Sequence, residues 1–162
     1  MLEIEKTYLV RKLPDNLSSY QSDHIKQGYI SSTTSPLRIR KKGQKLELTK
    51  KMPLKADDFS SAQELTILLT EEEFNKLWPL TEKFLEKSRY YIPLEDNLTA
   101  ELDIFQGKLA GLVLVEVEFK SAEQMESFKP PDWFGKDVTQ EAFSANVYLA
   151  GKTLKGIQAY LE

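Results

Sequence analysis

The sequence predicts an α+β fold in which antiparallel strands dominate. Eight segments of the 162-residue chain alternate apolar and polar residues, the period-two pattern of a strand with two different faces. Turn-rich stretches such as Lys42-Gly43-Gln44 separate them, and a few segments have helical patterns instead. The eight segments lie near residues 2–9, 25–31, 36–42, 45–51, 62–69, 85–92, 98–105 and 112–119. Turns are also expected at 31–36 and at Gln106-Gly107-Lys108.

Three stretches are typical of helices. Residues 15–22 give a weak pattern, and residues 70–78 a stronger one, because Thr70 and Glu73 have the spacing of a capping box. The third runs from Ala122 to Phe128 after Ser121, a residue type preferred at a helix N-cap.

The C-terminal region predicts one longer helix. It is expected to cover Thr139 to Ala150 and to end at Gly151, since glycine commonly follows the last helical turn. A short helix is expected after it.

Composition limits the domain organisation and the class of protein. A chain of 162 residues with 41% hydrophobic and 29% charged residues is long enough for one core, so residues 1–162 are expected to form one domain. A formal net charge of -3 disfavours a general nucleic-acid binder. The absence of cysteine excludes disulfides and thiolate metal sites. No leader pattern and no apolar run of membrane-spanning length are present, so we expect a cytoplasmic protein without a membrane partner. We expect it to be either a monomer or a homodimer.

The polar faces of the strands carry like charges in pairs. Residues i and i+2 of a strand point the same way, so Glu3 and Glu5 are expected to share a face and to need a nearby cation. Further pairs of one sign recur at Arg38/Arg40, Lys87/Arg89, Glu101/Asp103 and Glu116/Glu118.

Two arrangements explain this pattern. An antiparallel sheet with one solvated face is the commoner arrangement for such alternation, and cross-strand ion pairs would account for much of the charge. Alternatively, eight strands are enough to close a barrel around a small ligand, with a polar interior and helices on the apolar outer face. In that barrel, basic pairs would suit phosphate oxygens and acidic pairs would suit a hard metal ion.

Across nearly its whole length, the chain resembles the CYTH, or triphosphate tunnel metalloenzyme, family, and its short bacterial members most of all. The motifs that carry the resemblance are, in order, Glu3-x-Glu5, Gln27-Gly28-Tyr29, Arg38-x-Arg40, Leu48-Thr49-Lys50-Lys51, Glu64, Lys87-x-Arg89-Tyr90, Glu101-x-Asp103-x-Phe105, Gly111-Leu112, Glu116-x-Glu118, Pro131-Asp132-Trp133-Phe134-Gly135 and Asp137-Val138-Thr139. Each motif is weak alone, but their common order is specific.

The resemblance implies a closed eight-stranded antiparallel barrel that hydrolyses inorganic triphosphate or a small organic triphosphate with Mg²⁺ or Mn²⁺. Water would attack a terminal phosphoryl group in line. The implied phosphate ligands are Arg38, Arg40, Lys51, Lys87 and Arg89. The implied metal ligands are Glu3, Glu5, Asp103, Glu116 and Glu118, and Glu64 and Glu101 would bind a second ion or orient water.

The chain departs from the family pattern at two positions. The family signature has a lysine two residues after the second acid, where this chain has Thr7, while Lys6 has the opposite parity. Phe143 stands where many relatives have an arginine. Since threonine brings no charge, a weak or inactive phosphate-binding module is the alternative to the hydrolase. Class IV adenylate cyclase activity is less favoured, because no nucleoside pocket can be located in the sequence.

Overall fold

The fold is a barrel of antiparallel strands, here described from a computed structural model. The structure describes residues 1–32 and 35–162. Thr33 and Thr34, part of the predicted 31–36 turn, lie outside the described residues. The strands are β1 (Leu2–Val10), β2 (Ser22–Ser31), β3 (Leu37–Lys42), β4 (Lys45–Pro53), β5 (Ser61–Leu68), β6 (Lys83–Pro93), β7 (Thr99–Phe105), β8 (Val113–Glu118) and β9 (Phe134–Asp137).

The first eight strands close on themselves. Around the ring they follow the order β1, β5, β4, β3, β2, β6, β7, β8 and back to β1, and every pairing is antiparallel. The closed barrel expected from the family resemblance is therefore confirmed, and all eight predicted strands are present. The short β9 was not predicted.

One edge of β1 is shared between two partners. Leu2–Ile4 pair with β5, whereas Tyr8 and Val10 pair with β9. Between these stretches, the N–H of Glu5 donates to the carbonyl of Ser60 at 2.9 Å. Beside Glu5 and Thr7, this edge of β1 therefore pairs with neither strand, because the pairing with β5 stops at Ile4 and the pairing with β9 starts at Tyr8.

The helices are short. They are α1 (Glu71–Leu77), α2 (Ala122–Ser127), α3 (Asn146–Leu149) and α4 (Leu154–Ile157). The capping box of α1 is confirmed, since Thr70 accepts from the N–H of Glu73 and Glu73 accepts from the N–H of Thr70. Ser121 caps α2 as expected. No helix in the described part of the chain has the length and apolar character needed to cross a membrane.

Two helix predictions were wrong. Residues 15–22 form only a 3₁₀ turn at Leu17–Ser19. The long helix expected from Thr139 to Ala150 is replaced by a 3₁₀ turn, Ala142–Ser144, followed by α3, with Ala145 extended between them. The Ser144 hydroxyl bonds the carbonyls of Val138 and Glu141, and such side-chain bonds compete with helical ones. The short helix expected after Gly151 is present as α4.

Two hydrophobic clusters hold the barrel. The outer one lies where α2 and β9 cover β1, β7 and β8, and it includes Tyr8, Val117 and Phe134. The second fills one end of the barrel, where inward side chains such as Leu85 and Phe105 meet Leu149 of α3 and Ile157 of α4. Each fully buried large apolar side chain contributes about 1.5–3 kcal/mol, so these clusters can offset the cost of a polar interior.

Candidate active site in the barrel

The predicted charged residues all lie on inward-facing positions of the barrel. Strand register places them opposite one another: Arg89 faces Asp103, Lys51 faces Glu64, and Glu5 faces Glu118. The prediction of a polar interior is therefore met, and the helices lie outside the ring or at its filled end. The inward residues form two groups with different geometry.

Arg89 is the centre of the first group, on β6, β7 and β8. Its Nε and Nη2 donate to the two oxygens of Asp103 at 2.7 Å each, and Nη2 also donates to Glu116 Oε2 at 2.9 Å. Nη1 donates to Glu101. Burial alone would lower the pKa of Arg89, but the three carboxylates, Asp103 first, hold it well above its ordinary value.

Lys87 belongs to the same group and is only 1% exposed. Its Nζ donates to Asp103 Oδ2 at 2.6 Å and to Asn146 Oδ1 at 3.1 Å. Burial lowers the pKa of this ammonium group, and Asp103 opposes that shift. Asp103 thus binds two cations at once, and both of its oxygens accept hydrogen bonds from them.

The second group lies on β1, β4, β5 and β3. Lys51 Nζ lies 2.9 Å from Glu3 Oε2 and 3.3 Å from Glu5 Oε1. Arg38 and Glu64 approach only to 3.9 Å. Arg38 Nε is buried without a hydrogen-bond partner among the residues described. An unpaired buried N–H of a guanidinium costs free energy, so Arg38 is prepared to bind an anion.

Arg40 sits beside the second group but is satisfied. Its Nε and Nη2 both donate to Glu47 Oε2, at 3.1 and 2.8 Å. Burial lowers the pKa of Arg40, as does the neighbouring Arg38.

The second group is short of positive charge. Burial, reinforced by Glu116 and Glu3 against the effect of Lys51, raises the pKa of Glu5 to about 8. Burial together with Glu3 and Glu101 also raises the pKa of Glu118. Carboxylates that resist ionisation in this way mark a wall with more acids than cations.

The chemistry of this wall suits a divalent metal ion. Within residues 1–32 and 35–162, no three acidic or histidine side chains are already grouped as a metal site. Carboxylate oxygens are nevertheless the ligands that Mg²⁺ and Mn²⁺ prefer, and a dication would supply the missing charge. Glu3, Glu5, Glu116 and Glu118 fit such an ion, whereas Asp103 is engaged by Lys87 and Arg89.

A cavity of about 610 Å³ opens beside the second group. Its inner wall includes Glu5, Thr7, Arg38 and Lys51. The loop after β4 and the segment before α3 close its sides. The volume is in the range of small-molecule sites. The remaining lining residues are Tyr29, Ser35, Pro36, Thr49, Met52, Pro53, Ala56, Asp58, Phe59, Ser61, Ala62, Glu116, Thr139, Ser144, Ala145, Asn146 and Val147.

The two departures from the family pattern have different consequences. Thr7 lines the cavity and is 6% exposed. Lys6 points outward as its parity predicts, with Nζ 3.8 Å from Asp137 Oδ2. Phe143 does not line the cavity, and its ring stacks on Tyr160 with centroids 5.2 Å apart. Of the two departures from the family pattern, only the replacement of the family's lysine by Thr7 removes a positive charge from the lining of the cavity.

Sequence reasoning assigned no role to two cavity residues. Asn146 accepts a hydrogen bond from Lys87 Nζ at 3.1 Å and lines the cavity. Tyr29 lines the cavity and accepts a hydrogen bond from Gln27 Nε2 at 3.1 Å. The shared parity of Gln27 and Tyr29 was the available signal.

The chain is similar to curated and solved proteins over most of its length. An inorganic triphosphatase of Nitrosomonas europaea is 39% identical over 151 residues, which are 93% of this chain and 97% of that protein. A crystal structure of an inorganic triphosphatase superposes with a TM-score of 0.67 at 37% identity, over 91% of this chain and 93% of that one. A candidate adenylyl cyclase from Hippeastrum with a dominant triphosphatase activity shares the fold, with a TM-score of 0.58 at 16% identity over 76% of this chain and 82% of that one. No model of a known protein family matches the sequence.

Proposed function

This chain belongs to the triphosphate tunnel metalloenzyme family, and we propose that its barrel binds and hydrolyses inorganic triphosphate with Mg²⁺ or Mn²⁺. The observation that carries the proposal is Arg38, a buried guanidinium with an unpaired Nε in a cavity that also contains Lys51. The relative from Nitrosomonas europaea, matched over 97% of its length, supports the same reaction.

The charge of the interior explains why a metal ion would be needed. Around the second group the inward carboxylates outnumber the inward cations Arg38 and Lys51, so this side of the barrel by itself disfavours a polyanion. When bound, the dication supplies Lewis-acid charge neutralisation to the phosphoryl oxygens. In the whole barrel the inward carboxylates are Asp23, Glu3, Glu5, Glu47, Glu64, Glu101, Asp103, Glu116 and Glu118, and the inward cations are Arg38, Arg40, Lys42, Lys45, Lys51, Lys83, Lys87 and Arg89.

The residues of the second group, together with Glu116 and Glu118 of the neighbouring strand β8, would bind the substrate and the metal ion. Arg38 and Lys51 contact the phosphoryl oxygens, since both line the cavity. Glu3, Glu5, Glu116 and Glu118 hold the dication. Glu64, whose pKa is raised by burial and by Glu3, orients the attacking water for in-line displacement.

The first group would act as support for the reaction. Lys87 and Arg89 do not line the cavity; they keep fixed positive charge behind Glu116, which does line it, and Asp103 and Glu101 hold them in place. Arg40 adds charge while it is held by Glu47. Preorganised charge of this kind stabilises a transition state without rearrangement during the reaction.

A phosphate-binding module with little activity is the second candidate function. Thr7 favours it, because the cavity lacks the positive charge of the family lysine at this position. Such a module would bind triphosphate through Arg38 and Lys51 without turning it over.

Phosphate release from inorganic triphosphate, ATP and thiamine triphosphate tests the proposal. Wild type, Glu5→Gln and Thr7→Lys are compared with Mg²⁺, Mn²⁺ or EDTA. We expect wild type to hydrolyse inorganic triphosphate fastest, only with a dication, and Glu5→Gln to be much slower. Hydrolysis that is absent from wild type and appears in Thr7→Lys would favour the binding module. Equal rates in wild type and Glu5→Gln would remove the metal role of Glu5.

A further inference from the structure

Thr7 has a buried side chain with an unused hydroxyl. It is 6% exposed and lines the cavity. Its backbone is satisfied, because its N–H donates to Thr139 Oγ1 at 3.1 Å and its carbonyl accepts from the N–H of Val138 at 2.8 Å. In the described part of the chain, no group bonds the Thr7 hydroxyl. The hydroxyl is not one of the fully buried unpaired atoms of the described residues, so it is open to the cavity and its lone pairs are free to bind a ligand there.

Two carboxylates beside Thr7 have oxygens that no cation binds. Glu116 lies directly opposite Thr7 on β8, and Glu5 precedes it on the same face of β1. Arg89 bonds Glu116 through Oε2, and Lys51 contacts Glu5 through Oε1. This leaves Glu116 Oε1 and Glu5 Oε2 without a cation partner among the residues described.

The surroundings of Thr7, Glu5 and Glu116 would be stabilised by one further positive charge. Each carboxylate is already partly neutralised, by Arg89 or by Lys51. Lys6, the one cation of β1, points to Asp137 on the outside, and β8 contains no basic residue. The third oxygen comes from a neutral hydroxyl. A large, weakly hydrated cation of single charge suits such a mixed set of oxygens better than Mg²⁺, which needs a near-ideal octahedron.

We propose that a monovalent cation of the size of K⁺ or NH₄⁺ binds between Thr7 Oγ1, Glu5 and Glu116. It would place a single positive charge in the cavity, as an ammonium group carried by a lysine at position 7 would. Glu5 then contacts both this cation and the dication. The effect on catalysis rests on the proposed triphosphatase function, but binding of the cation does not.

Thermal unfolding without substrate tests the binding. Wild type is melted at about pH 9, where both carboxylates of the site are ionised, with EDTA in KCl, NH₄Cl or choline chloride at equal ionic strength, beside Thr7→Val, Thr7→Lys and the control Thr66→Val. Thr66 is also an inward threonine, but its hydroxyl bonds Thr49 at 2.9 Å. We expect K⁺ or NH₄⁺ to raise the melting temperature of wild type and Thr66→Val by about 3 °C or more over choline, and of neither Thr7 variant. No rise in wild type, or the same rise in Thr7→Val, would overturn the site.

Phosphate release from inorganic triphosphate with Mg²⁺ tests the effect on catalysis. We expect K⁺ to raise kcat/KM of wild type on the order of tenfold over choline, and Thr7→Lys to be insensitive to K⁺. Hydrolysis that responds equally to K⁺ in wild type and Thr7→Lys would overturn the site and leave the proposed function intact. A K⁺-dependent melting temperature without any hydrolysis would overturn the proposed function and leave the site intact.

Discussion

On β6 and β7, Lys87 and Arg89 share Asp103 at 2.6–2.7 Å and are almost completely buried, whereas on β1 and β4, Lys51 reaches Glu3 and Glu5 at 2.9 and 3.3 Å and stays partly exposed. The first group, which we call the closed wall, is a network in which the charges satisfy one another. The second group, which we call the open wall, has carboxylates that are not fully neutralised and borders the cavity. The same residue types therefore satisfy one another on one side of the barrel and, in the proposed function, bind the ligand on the other.

The largest expected effect is on stability at the closed wall. Asp103→Ala leaves Lys87 and Arg89 buried without their shared partner, and we expect a loss of about 3–5 kcal/mol in the free energy of unfolding. Urea denaturation without metal measures it. Glu3→Ala is the matched control on the open wall, where removal of one excess carboxylate should cost much less. Equal losses in the two variants would mean that the walls do not differ in the way described.

The next effect is on activity at the open wall. Glu5→Gln should lower kcat/KM for inorganic triphosphate by about a hundredfold or more, because an anionic ligand of the dication is lost. Its free energy of unfolding without metal should not fall, since the glutamine ends the repulsion of Glu5 by Glu3 and Glu116. A variant that unfolds readily but retains its activity would place Glu5 in the scaffold instead.

The pH dependence of stability should also differ between the walls. The pKa of Glu5 is raised to about 8, so the folded protein retains a proton that the unfolded chain releases near pH 4 to 5. In EDTA, this group's contribution to stability is complete below the ordinary pKa and is lost as the pH rises through about 8. Denaturation curves across this range should show that the free energy of unfolding of wild type falls as the pH rises. The fall should be smaller in Glu5→Gln. In the control Glu101→Gln, where the lost carboxylate is a partner of Arg89, the fall should be as large as in wild type. A fall of the same size in Glu5→Gln as in wild type would contradict the assignment of this pH dependence to Glu5.

The smallest effect concerns the loop that covers the open wall. Gln140 accepts from the N–H of Phe59 at 3.1 Å and donates to Asp58 Oδ1 at 3.2 Å, which ties the loop between β4 and β5 to the C-terminal segment. Gln140→Ala should cost only about 1 kcal/mol but should speed protease cleavage of this loop and raise KM. The control is Gln124→Ala, which removes a similar bond to the N–H of Lys120 far from the cavity. Equal cleavage rates in both variants would show that Gln140 does not hold the loop.

Most of the barrel could be predicted from the sequence because alternation reports directly which face of a strand each residue occupies. The eight long strands follow that rule. The short β9 does not, since it has four residues and adds to the outside of β1. The C-terminal segment failed for another reason: its apolar residues were read as one helix, but Ser144 binds carbonyls and the chain bends at Ala145.

The candidate site could be predicted only as a set of inward charges. Residue spacing placed Arg38 and Arg89 equally in the interior, but it could not show that Arg89 has three carboxylate partners while Arg38 retains an unpaired Nε. That difference depends on which strands become neighbours around the ring. Thr7 was recognised from the family pattern, but the state of its hydroxyl and its cavity depends on β8, β9 and the C-terminal segment.

Anomalous diffraction from crystals grown with Mn²⁺ and inorganic triphosphate tests the division between the two walls most directly. We expect a Mn²⁺ peak bound by carboxylates of the open wall, Glu5 and Glu118 among them, with the triphosphate contacting Arg38 and Lys51 and with Asp103 still bonded to Lys87 and Arg89. A Mn²⁺ ion bound by Asp103, with Lys87 and Arg89 released from it, would contradict the assignment of that wall as scaffold.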